Sequence, residues 1–402
     1  MIKQNPPNTG QGRWSGRHGF TSWPRRAKLC GMQLSELLAQ AVSADGEVTA
    51  VTDDSRAVTP GAVFVFDART HPRAAEVGTK FLEMAAAAGA SVCVTNLPGA
   101  TGERIIAHPD PAAVLVRWAC SQFPRQPHLQ LAVTGTNGKT SAAGFVRQLA
   151  TAAGHHAASI GTLGVYDGED KLADLGYTSP TALKLHETLD GLTARGVDCV
   201  ALEISSHALA LGRSDGLQLS AAALTNITQD HLDFHGTMDN YVLAKARLFT
   251  ELLPPTGTAV LPITRAESWP IAAALKQREV PVLTVGPAGA ELVVTATAAH
   301  ATGLELTIKW QQHICTTIVP LVGGFQAENL AVALGLAVAG GFAWESIIAA
   351  LPTLTAAPGR MEIIPAADGQ PAVIVDYAHT PDALAHALEA LRPLTRGRLT
   401  VV

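Results

Sequence analysis

The sequence predicts an α/β protein with a parallel sheet, and three observations carry that reading. The apolar run Leu131-Ala132-Val133 ends in a glycine-rich turn, and TSAAGFVRQLATAAG follows with helical spacing. Further apolar runs of strand length alternate with helical stretches, the pattern that crossover connections impose on parallel strands. The chain has 402 residues, 47% of them apolar and 16% charged, which is ordinary globular composition and room for two or three domains.

The rest of the composition narrows the function. A net charge of −5 offers no field to attract nucleic acid or an anionic membrane. The five cysteines are scattered without a CxxC pair, which argues against a disulfide framework or a zinc site and suits a reducing cytoplasm. No run approaches the roughly 20 apolar residues of a membrane span.

Residues 1–31 contain Pro, Gly and Arg, no acids and no apolar periodicity. They lack the apolar core of a secretory signal and read as an irregular extension, with Met32 as the expected natural start and MQLSELLAQA as a helix. From Val48 short strands (VTAVTDDSRAV, AVFVF), a helix (AAEVGTKFLEMAAAAGA) and a strand (SVCVTN) predict a small α/β domain over 32–125. The Asp54-Ser55-Arg56 tripeptide reads as a turn between strands, or as a phosphate contact. A helix (HPDPAAVLVRWACSQF) and the linker PRQPH lead into a central domain over 126–355.

That domain opens with LAVTGTNGKT. Gly135 and Gly138 permit a tight turn and close backbone approach to a phosphate. The helix N-terminus that follows points N–H groups at an anion. Lys139 adds a point charge, and the Thr140 hydroxyl is placed for a magnesium ion. Two residues, not four, separate Gly135 from Gly138-Lys139, so this is a shortened phosphate loop. VDCVALEISSHAL and LSAAALTNI read as buried parallel strands whose C-terminal ends, where open sheets bind ligands, carry Glu203 and lead to His231. The helix DNYVLAKARLFT carries Lys245, and short strands and two helices follow. Residues 356–402 begin another unit with strand VIVD, a polar loop, helix ALAHALEALRP and a final apolar stretch, GRLTVV, expected as a strand of an incomplete Rossmann-like domain.

TGTNGKTSA, EISSHALALGR, NITQDHLDFHGTMDNYVLAKARLF, GGFQAENLAVALG, PGRMEII and VDYAHTPDAL occur in one order and spacing. Together they resemble the Mur ligases, most closely the members that add the third amino acid to UDP-N-acetylmuramoyl-L-alanyl-D-glutamate. The resemblance implies a three-domain architecture: a small N-terminal domain for the UDP-substrate, a central phosphate-loop domain and a C-terminal amino-acid-binding domain. It also implies ATP-dependent amide-bond formation through an acyl phosphate, in the cytoplasm, by a monomer. ATP, Mg2+, the muramoyl-dipeptide and a diamino acid are the implied ligands.

By the family pattern, Thr134, Gly135, Thr136, Asn137, Gly138, Lys139, Thr140 and Ser141 hold ATP, with Asn329 near the adenine and Arg360 and Asp376 as nucleotide contacts at the hinge. Thr140, Glu203 and His231 match magnesium positions. Lys245 matches a lysine carried as a carbamate, N6-carboxylysine formed from carbon dioxide or bicarbonate, which turns a cation into an anion able to bind the metal. Lys139, Glu203, His231 and Lys245 are thus the implied catalytic set. Ser55, Thr178, Ser179, Ser205 and Arg213 match substrate contacts, and Arg213 can clamp a carboxylate or phosphate bidentately. Tyr377 and His379 lie beside the hinge. Glu203, His231 and Lys245 each also fit a plain reading, as a strand end, a structural histidine and a solvated helix lysine.

Two departures stand out. VFDARTHPRAAEVG replaces the family's Asp-, Gly- and His-rich loop, so among uridine contacts only Ser55 and Arg56 carry over. The Asp-Asn-Pro-Arg type motif that reads the incoming amino acid has no counterpart here, so meso-diaminopimelate is expected as the family's more widespread choice, with lysine as the alternative. A folylpolyglutamate synthase is a second alternative, opposed by TSP, SSHALALGR and VDYAHTPD. A third is a nucleotide-binding remnant that holds ATP and turns over poorly.

Overall fold

A computed structural model describes residues 31–42, 45–71, 73–300, 303–364, 370, 372–378, 381–395 and 397–402. The expected extension lies almost wholly outside them, as does His379.

Met32 does not open a helix. Met32–Gln33 (β1) pairs antiparallel with Glu47–Val48 (β2), and the helix between them is only Leu34–Leu38 (α1). It stops where Ala39 turns left-handed, at φ 51°. Val51–Thr52 (β3), Val63–Phe66 (β4), Val92–Thr95 (β5) and Ile105–Ala107 (β6) form a parallel sheet in that order. Helix Ala74–Ala87 (α2) makes its crossover between β4 and β5 on the face of Phe64 and Phe66, and helix Pro111–Gln122 (α3) packs with α1 on the opposite face, against Val63 and Val65. The VFVF run of β4 is buried along its whole length, as a strand with both faces covered must be.

The central sheet begins with Leu129–Thr134 (β7), whose chain turns through the phosphate loop into Lys139–Ala152 (α4). Then come Ala157–Gly161 (β8), Gly164–Asp167 (β9), Asp170–Ala173 (β10), helix Ala182–Ala194 (α5) and Cys199–Glu203 (β11). Ser206–Ala210 (α6), Ala221–Leu224 (β12), Leu232–His235 (α7) and Met238–Arg247 (α8) follow. The expected helix over 239–250 is regular to Arg247 and passes into a π-helical turn at Leu248–Leu252. Thr258–Pro262 (β13), a helix the sequence did not announce at Ser268–Gln277 (α9), and Val282–Gly286 (β14) continue the parallel sheet. Leu292–His300 (β15) adds parallel to β14, and Gly303–Trp310 (β16) and His313–Val319 (β17) then follow as an antiparallel meander at the sheet's edge. The order across the sheet is β10-β9-β8-β11-β7-β12-β13-β14-β15-β16-β17, parallel from β8 to β15.

Helix Gln326–Ala339 (α10) covers one face with α4, and Trp344–Ala350 (α11) packs on α4. Their apolar side chains share one buried cluster with the strand residues Leu131, Val133 and Ala223. Residues beyond 356 add Glu362–Ile364 (β18), Val373–Val375 (β19) and Pro381–Leu391 (α12). β18 and β19 pair only with each other among the described residues. GRLTVV forms no strand, contrary to expectation: 398–402 have no paired neighbour among the described residues, and an apolar run alone does not make a ladder.

Candidate active site

The site is set by strand register. β7 lies between β11 and β12, with Glu203 beside Val133 and Leu224 beside Thr134. The carboxylate expected level with the phosphate loop is therefore there. Gly135 at φ 149° and Gly138 at φ 84° make the turn. A Cβ on Gly135 would sit 1.8 Å from Thr225 Oγ1, and one on Gly138 would sit 2.0 Å from Asn329 Oδ1. The loop is pinned from β12's side. Thr136 N–H donates to Asn226 O (2.7 Å), Asn137 N–H to Asn226 Oδ1 (2.9 Å), and Thr225 Oγ1 to Asn137 O (2.6 Å). Thr134 Oγ1 donates to Ile204 O on the other side (2.8 Å), and Ser141 is buried in the helix's first turn.

Glu203 is buried and is the hub of a hydroxyl cluster. Thr140 Oγ1 donates to its Oε1 at 3.0 Å. Thr162, at the end of β8, gives Oε2 its N–H at 2.8 Å and Oε1 its hydroxyl at 2.9 Å. Thr162 Oγ1 also lies 2.9 Å from Thr178 Oγ1. Ser179 is buried, donates to Glu203 O (3.1 Å) and accepts from Ser205 N–H (3.0 Å). Ser205 caps α6 by accepting from Ala208 N–H at 3.2 Å. The Ser179 hydroxyl thus holds the loop on which Thr178 is displayed, while the Ser205 hydroxyl holds the start of α6.

Two lysines flank the loop. Lys139 Nζ donates to Thr136 O at 2.8 Å. Burial lowers its pKa, and the Arg360 guanidinium adds to this, while Glu203 and Asp230 oppose it. Lys245 is 1% exposed, with Nζ 2.8 Å from Gly135 O and 4.5 Å from the Tyr241 ring centroid. Burial first, then the charge of Lys139, drives its pKa well below the usual lysine value. It is therefore no solvated helix lysine. Tyr241, also fully buried, lies 3.0 Å from Thr136 Oγ1, and burial raises its phenol to about 12.

His231 stands in a left-handed conformation (φ 51°) at the start of α7, beside Asp230 and 4.6 Å from the His207 ring. No hydrogen bond or ion pair joins His231 or Lys245 to Glu203 among the described residues. Nor do three His, Cys, Asp or Glu side chains converge into a metal cage there. Thr140 and Glu203 are hard oxygen donors at the head of a phosphate loop. That fits magnesium, which takes one or two carboxylates and completes its shell with phosphate and water.

Asn329, in the first turn of α10, abuts Gly138 and lines a cavity of about 210 Å³ with Thr225, Asn226, Val285, Val294 and Ala331. Arg360 reaches Thr140 Oγ1 at 3.4 Å and stacks 4.5 Å over the Tyr377 ring. Asp376 accepts from Met361 N–H (2.8 Å) and Ala378 N–H (2.9 Å), bracing the backbone at this hinge.

A second cavity, of about 650 Å³, lies between the N-terminal sheet and the central domain. Ser55, Arg56, Tyr177 and Arg213 line it. The 54–56 segment is indeed a turn, with Ala57 N–H donating to Asp54 O and the Arg56 guanidinium on Asp54. Burial lowers the Arg213 pKa, with Asp53, Tyr177 and Asp67 opposing. Asp53, Asp67, Thr70 and His71 also line this cavity and were missed from sequence. Asp67, Thr70 and His71 come from the segment that departs from the family loop, so no motif marked them, and Asp53 directly precedes the Asp54-Ser55-Arg56 turn. Thr162 and Tyr241 were missed as well. Thr162 had a signal, since it follows the apolar AASIG strand at the ligand end of the sheet.

Residues 133–337 match the Mur ligase middle domain and residues 359–402 the Mur ligase glutamate ligase domain. The chain belongs to the Mur ligase family. This Mur ligase is 39% identical over 361 residues to UDP-N-acetylmuramoyl-L-alanyl-D-glutamate--2,6-diaminopimelate ligase of Bradyrhizobium diazoefficiens, covering 89% of this chain and 73% of that one. It is 39% identical over 378 residues to the protein of the same name in Caulobacter vibrioides, covering 92% and 77%. A solved structure of a ligase of that name superposes with a TM-score of 0.75 at 28% identity, covering 90% of this chain and 74% of that one. The three-domain architecture of these ligases is the frame in which this Mur ligase's sheets and cavities sit. Among the described residues, no helix is long and apolar enough to cross a membrane.

Proposed function

We propose that this chain is an ATP-dependent ligase that joins meso-diaminopimelate to UDP-N-acetylmuramoyl-L-alanyl-D-glutamate. One observation carries the reading. The phosphate loop's Thr140 and the displayed Thr178 meet through Glu203 and Thr162, so a nucleotide end and an acceptor end share one strand terminus. The resemblance to ligases of that name supplies the substrates.

The chemistry of such a site is positioning and charge neutralisation. The acceptor's glutamyl carboxylate attacks the γ-phosphorus of ATP, and the bond to the ADP oxygen breaks. The amine of the incoming amino acid then attacks the acyl carbon, and phosphate leaves. Lys139 and the loop N–H groups face the phosphates, and the cavity at Asn329 takes the adenine. Thr140 and Glu203 would hold magnesium, with His231 as the further position that the resemblance implies, and the ion would neutralise phosphate charge. Arg360 joins Thr140 from the hinge, tying the nucleotide end to the C-terminal segment. Arg213, Ser55 and Arg56 receive the UDP-muramoyl part in the larger cavity.

Lys245 is the modified residue in this reading. Only a neutral amine attacks carbon dioxide, forming the N–C bond and losing a proton, and burial keeps this amine neutral over a wider pH range. The carbamate would place a negative charge where the amine now feels the charge of Lys139.

The test incubates the chain with ATP, Mg2+, the UDP-muramoyl-dipeptide and either meso-diaminopimelate or lysine. Mass spectrometry then reads the tripeptide product. A diaminopimelate product with matching phosphate release supports the assignment. A lysine product reassigns the amino acid. Nucleotide binding without any product makes the chain the non-catalytic form.

A further inference from the structure

The hydroxyls between the two ends of the site have a fixed order. A carboxylate only accepts, so Thr140 and Thr162 both donate to Glu203 Oε1, at 3.0 and 2.9 Å. Thr162 has one hydroxyl proton, and Glu203 takes it. The 2.9 Å contact with Thr178 must then run from the Thr178 hydroxyl to Thr162 Oγ1. Thr178 is left with lone pairs toward its open side. Ser179, next along the chain, has both its donor and an acceptor position occupied within the protein.

We propose that Thr162 is a positioning residue for the ligase reaction. Its N–H and hydroxyl orient both oxygens of Glu203 for the metal, and its oxygen fixes Thr178 as an acceptor for a donor group, such as a peptide N–H, on the acceptor substrate. This rests on the function proposed above and adds a residue and a polarity to it. One hydroxyl then serves two ligands that bind at opposite ends of the cluster. A residue that only packed the strand end would serve neither.

Thr162→Val removes the hydroxyl and keeps the shape and the backbone N–H to Glu203, so the fold is retained. Thr162→Ser keeps the hydroxyl. Calorimetry measures, without turnover, the affinity of each chain for Mg·ADP and for the UDP-muramoyl-dipeptide. Thr162→Val is expected to weaken both by about ten-fold, the cost of a hydrogen bond to a charged group, while Thr162→Ser stays near the unaltered chain. Melting temperatures of both variants are expected to stay close to the parent's. The proposal is overturned if Val weakens neither affinity, weakens only one, or is matched by Ser. Failure of the unaltered chain to bind Mg·ADP at all would instead overturn the ligase reading beneath it.

Discussion

The phosphate-loop end and the cavity beneath the N-terminal sheet carry similar side chains held in different ways. Around Glu203 each hydroxyl has a partner within about hydrogen-bond reach, and the elements that bring them are neighbouring parallel strands. In the larger cavity the groups come from separate units, and several stay open: the Tyr177 residue is 67% exposed and the Arg56 side chain 82%. A nucleotide's phosphates demand fixed charges and dipoles, which a parallel sheet supplies by register alone. A long acceptor is instead gripped between surfaces that need not touch without it. The first region is thus expected to respond to substitution through kcat and nucleotide affinity, the second through the acceptor's KM.

The largest break comes at the first region. Lys139→Ala and Glu203→Gln are each expected to lower kcat/KM by about 10²–10³-fold, measured as phosphate release with saturating acceptor. Retention of full rates by either would mean that the loop is not the catalytic end.

Lys245→Ala is expected to lose about 10²-fold, with partial recovery when a short carboxylate is added to stand in for the carbamate. The pH dependence has a definite sign. Because the amine pKa is lowered, acidification must go further before it protonates, and activity falls as pH drops through that value. Added bicarbonate should raise activity in the unaltered chain and leave Lys245→Ala unmoved.

Arg213→Ala tests the second region. The acceptor's KM is expected to rise roughly 10- to 100-fold while ADP affinity, read by calorimetry, stays unchanged. A matching loss of ADP affinity would erase the contrast between the regions.

Gly135→Ala probes strain and not chemistry. Its positive φ and the Thr225 contact predict a loss of about 1–3 kcal/mol in denaturant unfolding.

The smallest effect is expected at the imidazoles. Burial, with His231 and His235 adding, lowers His207 to about 4. The unfolded chain therefore binds the extra proton first, so this contribution to stability is present above about 6.5, the ordinary histidine pKa, and is lost as pH falls toward 4. His207→Gln should flatten the decline of melting temperature between those pH values.

Much of this was legible in residues 129–250. Apolar runs of strand length and a Gly-Thr-Asn-Gly-Lys-Thr turn are local signals, because a buried parallel strand must be apolar and a phosphate loop must bend and donate. Glu203 was legible through its place at a strand end. The strand at Met32 and the unpaired GRLTVV were not, since a strand depends on a partner elsewhere in the chain. Lys245 shows the limit most clearly: a lysine on a helix looks solvated until the packing of α8 against the loop buries it.

By itself, then, the sequence determined the alternation of strand and helix, the loop and the family motifs, all of which depend on near neighbours. Only the tertiary structure decided that Thr162 bridges Glu203 and Thr178, that Ser179 faces inward and that Asp67 and His71 share a cavity with Arg213. Those relations join residues far apart in the chain, and sheet register and domain packing, which no local pattern encodes, bring them together.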